Sequence, residues 1–93
     1  MPTLSVVIPT HNRSWLITET ISYVLGQTYD DFEVIVIDNG STDDTRSIVE
    51  SITDKRVKYI YQNDSGSPAK PRNTGISIAN GKYVSFLDDD DIW

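Results

Sequence analysis

Short apolar runs alternate along this chain with longer segments in which apolar residues recur at helical spacing. The short runs are rich in β-branched residues and are bounded by polar, Gly or Pro residues, which is typical of strands. The first two runs are apolar almost throughout, as in strands buried on both faces of a parallel sheet, whereas the third is more polar and is expected nearer a sheet edge. The predicted strands are Leu4–Ile8, which Pro9 ends, Phe32–Ile37, Val57–Tyr61 and Lys82–Leu87.

Three helices are predicted between these strands. Ser14 can cap the first helix, whose apolar positions have helical spacing. The segment 41–44, Ser-Thr-Asp-Asp, matches a capping-box pattern and predicts the start of the second helix. The third helix follows a loop rich in Gly, Ser and Pro, Gly75 is expected to weaken it, and Asn80-Gly81 is predicted to form its left-handed C-cap. The predicted helices are 14–26, 42–51 and 72–79.

Strands and helices therefore alternate along the whole chain, with short connections. This order predicts an α/β fold, a Rossmann-like three-layer α/β/α arrangement in which helices cover a mostly parallel sheet. A chain of 93 residues is long enough for one modest core, so we expect residues 1–93 to form a single domain.

Polar side chains follow all four predicted strands. Because the carboxyl ends of parallel strands meet at one edge of a sheet, and ligands of such folds bind there, we expect these residues to converge on a ligand site. They are Thr10, His11, Asn12 and Arg13, then Asp38, Asn39 and Ser41, then Asn63, Asp64 and Ser65, and finally Asp88 to Asp91.

The last of these groups is a run of four aspartates directly after an apolar strand. Neighbouring carboxylates about 6 Å apart repel each other by roughly 0.5–1 kcal/mol even in water, and a divalent cation removes that cost. Mg²⁺ and Mn²⁺ prefer oxygen ligands and keep positions open for phosphate, so the run predicts a site for one of these metals. The alternative is an acidic helix start or a solvated loop.

Composition narrows the range of partners. A net charge of −6 argues against a nucleic-acid backbone as the partner, because phosphate contacts of that kind need clustered Lys and Arg. No apolar run approaches the roughly 18 residues of a transmembrane helix, and the segment before the first strand lacks the basic region of a signal peptide. With no cysteine in the chain, we expect a cytoplasmic protein, or one at the cytoplasmic face of a membrane in a longer form.

Four ordered segments of this chain resemble the successive motifs of the family 2 inverting glycosyltransferases of the GT-A fold. They are Ser5–Arg13, Glu33–Asp43, Pro71–Gly75 and Asn80–Asp91, and they are spread from residue 5 to residue 91, so the likeness covers essentially all of the chain. The resemblance implies a nucleotide-sugar donor, usually a UDP-sugar, and a divalent metal held by a D-x-D motif. It also implies direct displacement of the nucleoside diphosphate with inversion at the sugar.

The same resemblance implies roles for individual residues. Pro9 and Thr10 would lie against the nucleoside, and Asp38 or Asn39, where the family more often has two aspartates, would reach the uracil or ribose. Arg72 would lie beside the diphosphate, where a planar guanidinium can hold oxygens in a bidentate fashion. Asp90 belongs to every possible register of the D-x-D motif and is the first choice for Mn²⁺ or Mg²⁺. The implied nucleotide-binding set is Pro9, Thr10, Asn12, Arg13, Asp38, Asn39, Ser41, Arg72, Asp88 and Asp89, and the metal ligands are Asp88 and Asp90.

Inversion requires a general base that accepts the acceptor's proton. In the family that base follows the D-x-D motif, and this chain ends two residues after Asp91. We therefore expect the general base beyond Trp93, and a donor-binding part that is inactive in transfer on its own. The acceptor, whether a glycan, a lipid or another molecule, is not specified by these motifs. We also expect apolar surface at the open edge of the last strand, with self-association through that edge.

Two other function classes fit parts of the pattern. One is a non-catalytic module that binds a nucleotide or metal. The other is an aspartate-based phosphotransfer domain, which also places acidic residues on a doubly wound sheet. Such domains carry their key acids after the first strand, where this chain has Pro-Thr-His-Asn-Arg, and this counts against the second alternative.

Overall fold

A computed structural model describes residues 3–12, 14–26, 31–63 and 69–87 of the chain. These residues form alternating strands and helices: β1 (Leu4–Thr10), α1 (Ser14–Leu25), β2 (Phe32–Asn39), α2 (Thr45–Glu50), β3 (Val57–Gln62), α3 (Ala69–Ile78) and β4 (Tyr83–Phe86).

The strands form one sheet in the order β3-β2-β1-β4, and every neighbouring pair is parallel. The registers align the carboxyl ends of three strands, because Thr10 pairs with Asp38 and Asn39 pairs with Gln62. The prediction of a parallel α/β sheet is confirmed, and β3 lies at an edge of the described sheet, as its polarity suggested.

The two faces of the sheet carry two separate cores. On one face, alternate residues of β1 and β2 pack against α1 and α2, and on the other face the intervening residues lie under α3. This gives the three predicted layers, and burying each such aliphatic side chain contributes about 1.5–3 kcal/mol. The first core includes Val6, Ile8, Val34, Val36, Ile17, Ile21, Val24 and Val49, and the second includes Val7, Ile35, Ile37, Ile60 and Ala79.

Pro9 does not end β1, as was predicted, but lies inside it, opposite Ile37. Val7, two residues earlier, accepts a hydrogen bond from the Leu87 N–H, on the side of β1 that faces β4. Because alternate residues of a strand turn their N–H groups to the same side, Pro9 lacks its donor on that side, and the pairing with β2 continues to Thr10.

Helix α3 begins at Ala69, three residues before the predicted start, so that Pro71 lies in its first turn. Proline is tolerated there because the first N–H groups of a helix have no partner within the helix. Gly75 was expected to weaken this helix. Instead it allows close packing, because a Cβ at this position would lie 2.3 Å from Val7 Cγ1.

The prediction of a left-handed C-cap at Asn80-Gly81 is wrong. Among the described residues, positive φ angles occur at Asn12 (51°) and Gly40 (78°). Gly81 is needed for a different reason, because a Cβ there would lie 2.5 Å from the Ser5 amide nitrogen and 2.7 Å from the Leu4 carbonyl carbon. The glycine therefore lets the chain entering β4 lie directly against the backbone of β1.

Strand β4 has β1 as its neighbour on one side and no strand on the other side within the described part of the sheet. Its side chains Tyr83, Val84 and Phe86 are exposed, Tyr83 to 60%. Apolar surface at this edge was expected, and self-association through it stays a prediction.

Candidate functional site

The site begins where β1 and β2 end, and Asp38 is the residue that shapes it. Its side chain is only 1% exposed, and both of its carboxylate oxygens have partners. Oδ1 accepts a hydrogen bond from the Ser41 N–H at 2.9 Å, and Oδ2 accepts one from the Tyr59 hydroxyl. Gly40 allows the turn between them, since its φ of 78° is one that a side chain disfavours. The buried side chain of Asp38 therefore fixes the backbone conformation of residues 38–41.

Tyr59 supports this carboxylate from the neighbouring strand β3. Burial raises the pKa of the Tyr59 hydroxyl well above its usual value, and the hydrogen bond to Asp38 raises it further, so Tyr59 remains a proton donor. On the side of α2, the Arg46 guanidinium lies 5.7 Å from the centre of the Tyr59 ring and 5.6 Å from that of Tyr61. Cation–π contacts of this kind hold α2 beside the end of β3.

Asn39 is half-buried and connects three other elements. Its carbonyl oxygen is 2.7 Å from His11 Nδ1, and because a carbonyl only accepts, this His11 nitrogen carries the hydrogen. Its side-chain Oδ1 accepts a hydrogen bond from Gln62 Nε2 at 3.4 Å, and Gln62 Oε1 accepts one from the Thr74 hydroxyl at 2.8 Å. The end of β2 is thus connected through β3 to α3.

Asn12 joins the loop after β1 to the loop after β2. Its N–H donates to Ser41 Oγ at 2.8 Å, and its side-chain Oδ1 accepts from the N–H groups of Thr42 at 2.7 Å and Asp43 at 3.3 Å. The amide Nδ2 then faces His11 Nε2 at 3.3 Å.

These contacts explain why α2 begins at Thr45 and not at Thr42, the predicted start. The hydroxyl and N–H of Ser41 are already bonded to Asn12 and Asp38, so Ser41 does not cap the helix. Asp43 Oδ1 instead accepts from the Thr45 N–H at 3.0 Å, and the N-cap residue Asp44 makes no side-chain cap hydrogen bond. Asp43 thus bonds Thr45 from before the helix, and the first turn of α2 itself contains no acidic residue.

The described part of the chain brings together six of the residues implied by the resemblance. Their placement fits a site at this edge, and their contacts with a nucleotide stay a prediction. Four others, Arg13, Asp88, Asp89 and Asp90, lie outside the described residues, and Arg72 belongs to α3 but its side chain lies outside the described part. The six are Pro9, Thr10, Asn12, Asp38, Asn39 and Ser41.

The predicted metal ligands, Asp88 and Asp90, lie outside the described residues. Within 3–12, 14–26, 31–63 and 69–87, no three His, Cys, Asp or Glu side chains are grouped so that they could hold an ion. Leu87, the residue before the Asp run, is 3% exposed and donates its N–H to the Val7 carbonyl at 3.0 Å. The chain is therefore fixed beside β1 as far as position 87.

Sequence reasoning missed Tyr59, Gln62 and Thr74 as supports of the site. Tyr59 was predicted only as part of a strand, and that strand was predicted to end at Tyr61, one residue before Gln62, the last residue of β3. The polarity of β3 could have indicated Tyr59 and Gln62, whereas Thr74 belongs to α3 and had no such signal. No described helix is long and apolar enough to cross a bilayer.

The family model described as Glycosyl transferase family 2 matches residues 5–93. The chain belongs to glycosyl transferase family 2.

Relatives and solved structures resemble this family 2 domain over nearly all of its length. GalNAc(5)-diNAcBac-PP-undecaprenol beta-1,3-glucosyltransferase of Campylobacter jejuni is 44% identical over 94 residues, which cover 98% of this chain and 30% of that protein. TarS 1-349 of S. aureus in complex with UDP-GlcNAc has 40% identity and a TM-score of 0.91, covering 99% of this chain and 27% of TarS 1-349. The mannosyltransferase PcManGT of Pyrobaculum calidifontis, in complex with GDP-Man and Mn²⁺, has 32% identity and a TM-score of 0.90, with coverage of 99% and 28%.

The family 2 domain therefore spans less than a third of the length of each of these proteins. The predicted GT-A fold and the glycosyltransferase class are confirmed. The comparisons support this interpretation and not the phosphotransfer or non-catalytic alternatives.

Proposed function

We propose that this domain binds a UDP-sugar at the carboxyl ends of β1 and β2, for a metal-assisted transfer of the sugar to an acceptor hydroxyl with inversion. The observation that carries the proposal is the similarity to TarS in complex with UDP-GlcNAc, at 40% identity over 99% of this chain. A GDP-sugar is the second candidate, favoured by PcManGT at 32% identity. Both structures contain a nucleotide-sugar, which supports that class of donor.

The geometry favours Asn39 over Asp38 for a direct contact with the nucleoside. Both oxygens of Asp38 are bonded within the protein and the side chain is buried, whereas Asn39 is half-buried. We assign Pro9 and Thr10 to the same nucleoside pocket and Ser41 to its rim.

The donor set after β4 fits a divalent metal. Asp88, Asp89 and Asp90 offer only carboxylate oxygens, the ligands that Mg²⁺ and Mn²⁺ prefer. PcManGT in complex with Mn²⁺ supports the same assignment. When bound, such an ion neutralises the charge that develops on a departing diphosphate. We assign Asp88 and Asp90 as its ligands, and Arg72 to the diphosphate oxygens.

The metal assignment predicts that UDP affinity depends on the ion. Titration calorimetry of UDP with Mn²⁺, with Mg²⁺ and with EDTA should show binding at least about tenfold tighter with an ion, a difference of about 1.4 kcal/mol. Asp90→Asn should remove most of that difference, because an amide is a weaker ligand than a carboxylate. Asp44→Asn is the matched control, since Asp44 is exposed and makes no side-chain cap hydrogen bond.

The titrations also test the proposed donor. UDP affinity that chelation leaves unchanged would overturn the metal assignment. Tighter binding of GDP than of UDP would replace the UDP-sugar with the second candidate, and absence of binding by either would overturn the donor site.

Arg72→Ala should weaken the binding of UDP by about 2 kcal/mol and leave the binding of uridine nearly unchanged. The reason is that a guanidinium beside the diphosphate makes charge-assisted hydrogen bonds, and uridine has no diphosphate to accept them. Arg72→Lys keeps the charge and loses the bidentate geometry, so its UDP affinity should lie between those of the wild type and the alanine variant. The same calorimetric titrations measure all three. Equal losses for UDP and uridine would place Arg72 away from the phosphates.

A further inference from the structure

We propose that Asn12 is a positioning residue of the donor site, which acts by holding the β2–α2 loop, residues 40–44, and not by touching the nucleotide. This inference rests on the proposed function for its link to UDP, and on the contacts of Asn12 for its mechanism.

Two backbone N–H groups of the β2–α2 loop depend on a side chain from another loop. Loop and helix-start donors are usually satisfied locally, by a Ser, Thr, Asp or Asn at the N-cap. Here Asn12 Oδ1, about thirty residues earlier in the chain, accepts from the N–H groups of Thr42 and Asp43, at 2.7 and 3.3 Å. The N-cap residue Asp44 makes no side-chain cap hydrogen bond of its own.

Ser41, in the same loop, is held from two sides. Its N–H donates to Asp38 Oδ1 at 2.9 Å, and its Oγ accepts the Asn12 N–H at 2.8 Å. Asn39, the favoured nucleoside contact, is separated from Ser41 by Gly40 alone. Releasing the loop from Asn12 therefore frees one of the two ends that fix this turn.

The conformation of Asn12 itself fits this role. Its φ of 51° is a left-handed value that asparagine tolerates better than most residues, because its short polar side chain can bond locally. Its Oδ1 is occupied by N–H donors of the β2–α2 loop, which turns Nδ2 towards His11 Nε2 at 3.3 Å. Both ends of the amide are thus bonded within the protein.

These contacts allow matched substitutions that separate the backbone from the side chain. Asn12→Gly keeps the left-handed φ and the N–H that bonds Ser41, but it removes the oxygen that accepts from Thr42 and Asp43. Asn12→Asp keeps an acceptor oxygen on a side chain of the same length, and aspartate tolerates the same φ. If the glycine variant does not fold, Asn12→Ser takes its place, since its hydroxyl is too short to reach both N–H groups.

The experiment measures uridine and UDP affinity by calorimetry, together with the amide NMR signals of Thr42 and Asp43 without nucleotide. In Asn12→Gly we expect both ligands to bind about tenfold more weakly, the scale of one or two lost hydrogen bonds, and both amide signals to move. Asn12→Asp should restore the amide signals and bring uridine affinity to within about threefold of the wild type. Uridine is the reference ligand because it carries no phosphate to be repelled by the new charge. Equal loss for uridine and UDP also distinguishes Asn12 from Arg72.

The outcomes separate this inference from the proposed function. Wild-type affinity in Asn12→Gly would overturn the positioning role. Weak binding by both variants with unmoved amide signals would also overturn it, because it would make Asn12 a direct contact. A wild-type chain that binds neither ligand would overturn the proposed function and the donor-site role of Asn12, whereas moved amide signals would still show that Asn12 holds the loop.

Discussion

Glu33→Gln should lower the free energy of unfolding at pH 7 by about 3 kcal/mol. Glu33 is 4% exposed, and its carboxylate accepts hydrogen bonds from Ser5 Oγ at 2.5 Å, from the Asn80 N–H at 2.7 Å and from Lys58 Nζ at 2.6 Å. A glutamine has the same shape but a single acceptor oxygen, so at least one of these donors would face an amide N–H. The expected loss follows from the lowering of the Glu33 pKa in the folded protein from 4.5 to about 2, because each pH unit corresponds to about 1.4 kcal/mol.

The pH dependence of this loss is part of the same prediction. Burial on its own would raise the pKa of Glu33, but the hydrogen bonds from Lys58, Ser5 and the Asn80 N–H, with the Lys58 charge, outweigh it and lower the pKa from 4.5 to about 2. A carboxylate with a lowered pKa stabilises the fold fully above its unfolded-state value, and this contribution is lost as the pH falls towards the folded-state value. The difference between wild type and Glu33→Gln should therefore be constant above about pH 5 and shrink from there to about pH 2.

Urea denaturation of the 93-residue chain across this pH range measures the difference directly. Glu50→Gln is the control, because Glu50 is exposed on α2 and has only a 3.7 Å ion pair with Arg46, so its loss should stay within about 0.5 kcal/mol. Parallel pH profiles for wild type and Glu33→Gln would show that the buried carboxylate is not the source of this stability.

Gly81→Ala should cost about 3 kcal/mol of unfolding free energy or more. The new Cβ would lie 2.5 Å from the Ser5 amide nitrogen, 2.6 Å from Ser5 Oγ and 2.7 Å from the Leu4 carbonyl carbon. Two of these three atoms are backbone of β1, which has β2 on one side and β4 on the other, so a rotamer change cannot relieve the contact. Moving the chain away would also stretch the 2.8 Å hydrogen bond from the Gly81 N–H to Ser5 Oγ.

Gly26→Ala is the matched control for this substitution. A Cβ at Gly26 would meet its nearest atom, the Ser22 carbonyl oxygen, at 3.4 Å, and Gly26 is exposed. Thermal unfolding should therefore place Gly26→Ala within a few degrees of the wild type and Gly81→Ala well below both. If the two alanine variants unfold together, β1 and the chain entering β4 are not in the close contact described above.

The strands β1 and β2 could be predicted from the sequence because their apolar runs follow from burial on both faces, as in Val34, Ile35 and Val36, which are fully buried. The polarity of β3 likewise indicated an edge position. The start of α2 could not be predicted, because Asn12 binds the N–H groups of a segment about thirty residues later. The glycines were misjudged for a related reason: Gly75 and Gly81 are set by contacts with β1 and not by their own helix or turn.

The position of the candidate site in the fold could be predicted from the sequence, whereas the contacts between its residues were less predictable. Parallel strands bring Thr10 and Asp38 together by register alone, which the alternation of strands and helices already implied. The second carboxylate oxygen of Asp38 is bonded within the protein because the Tyr59 hydroxyl donates to it from β3. No spacing rule in the sequence indicates that contact. The family motifs predicted which residues belong to the candidate site, and the fold shows which of them are bonded within the protein, as Asp38 is.

The two buried acidic residues of β2 have a consequence for how the chain emerges during synthesis. Asp38 finds its hydroxyl donor 21 residues later at Tyr59, and Glu33 finds one of its N–H donors 47 residues later at Asn80. Until those positions have left the ribosome, the most deeply buried strand of the domain carries carboxylates without all their partners, and solvation keeps such charges out of an apolar interior. Strand β2 is therefore made before two of the partners that its carboxylates require, and its native contacts are complete only after Asn80 has emerged.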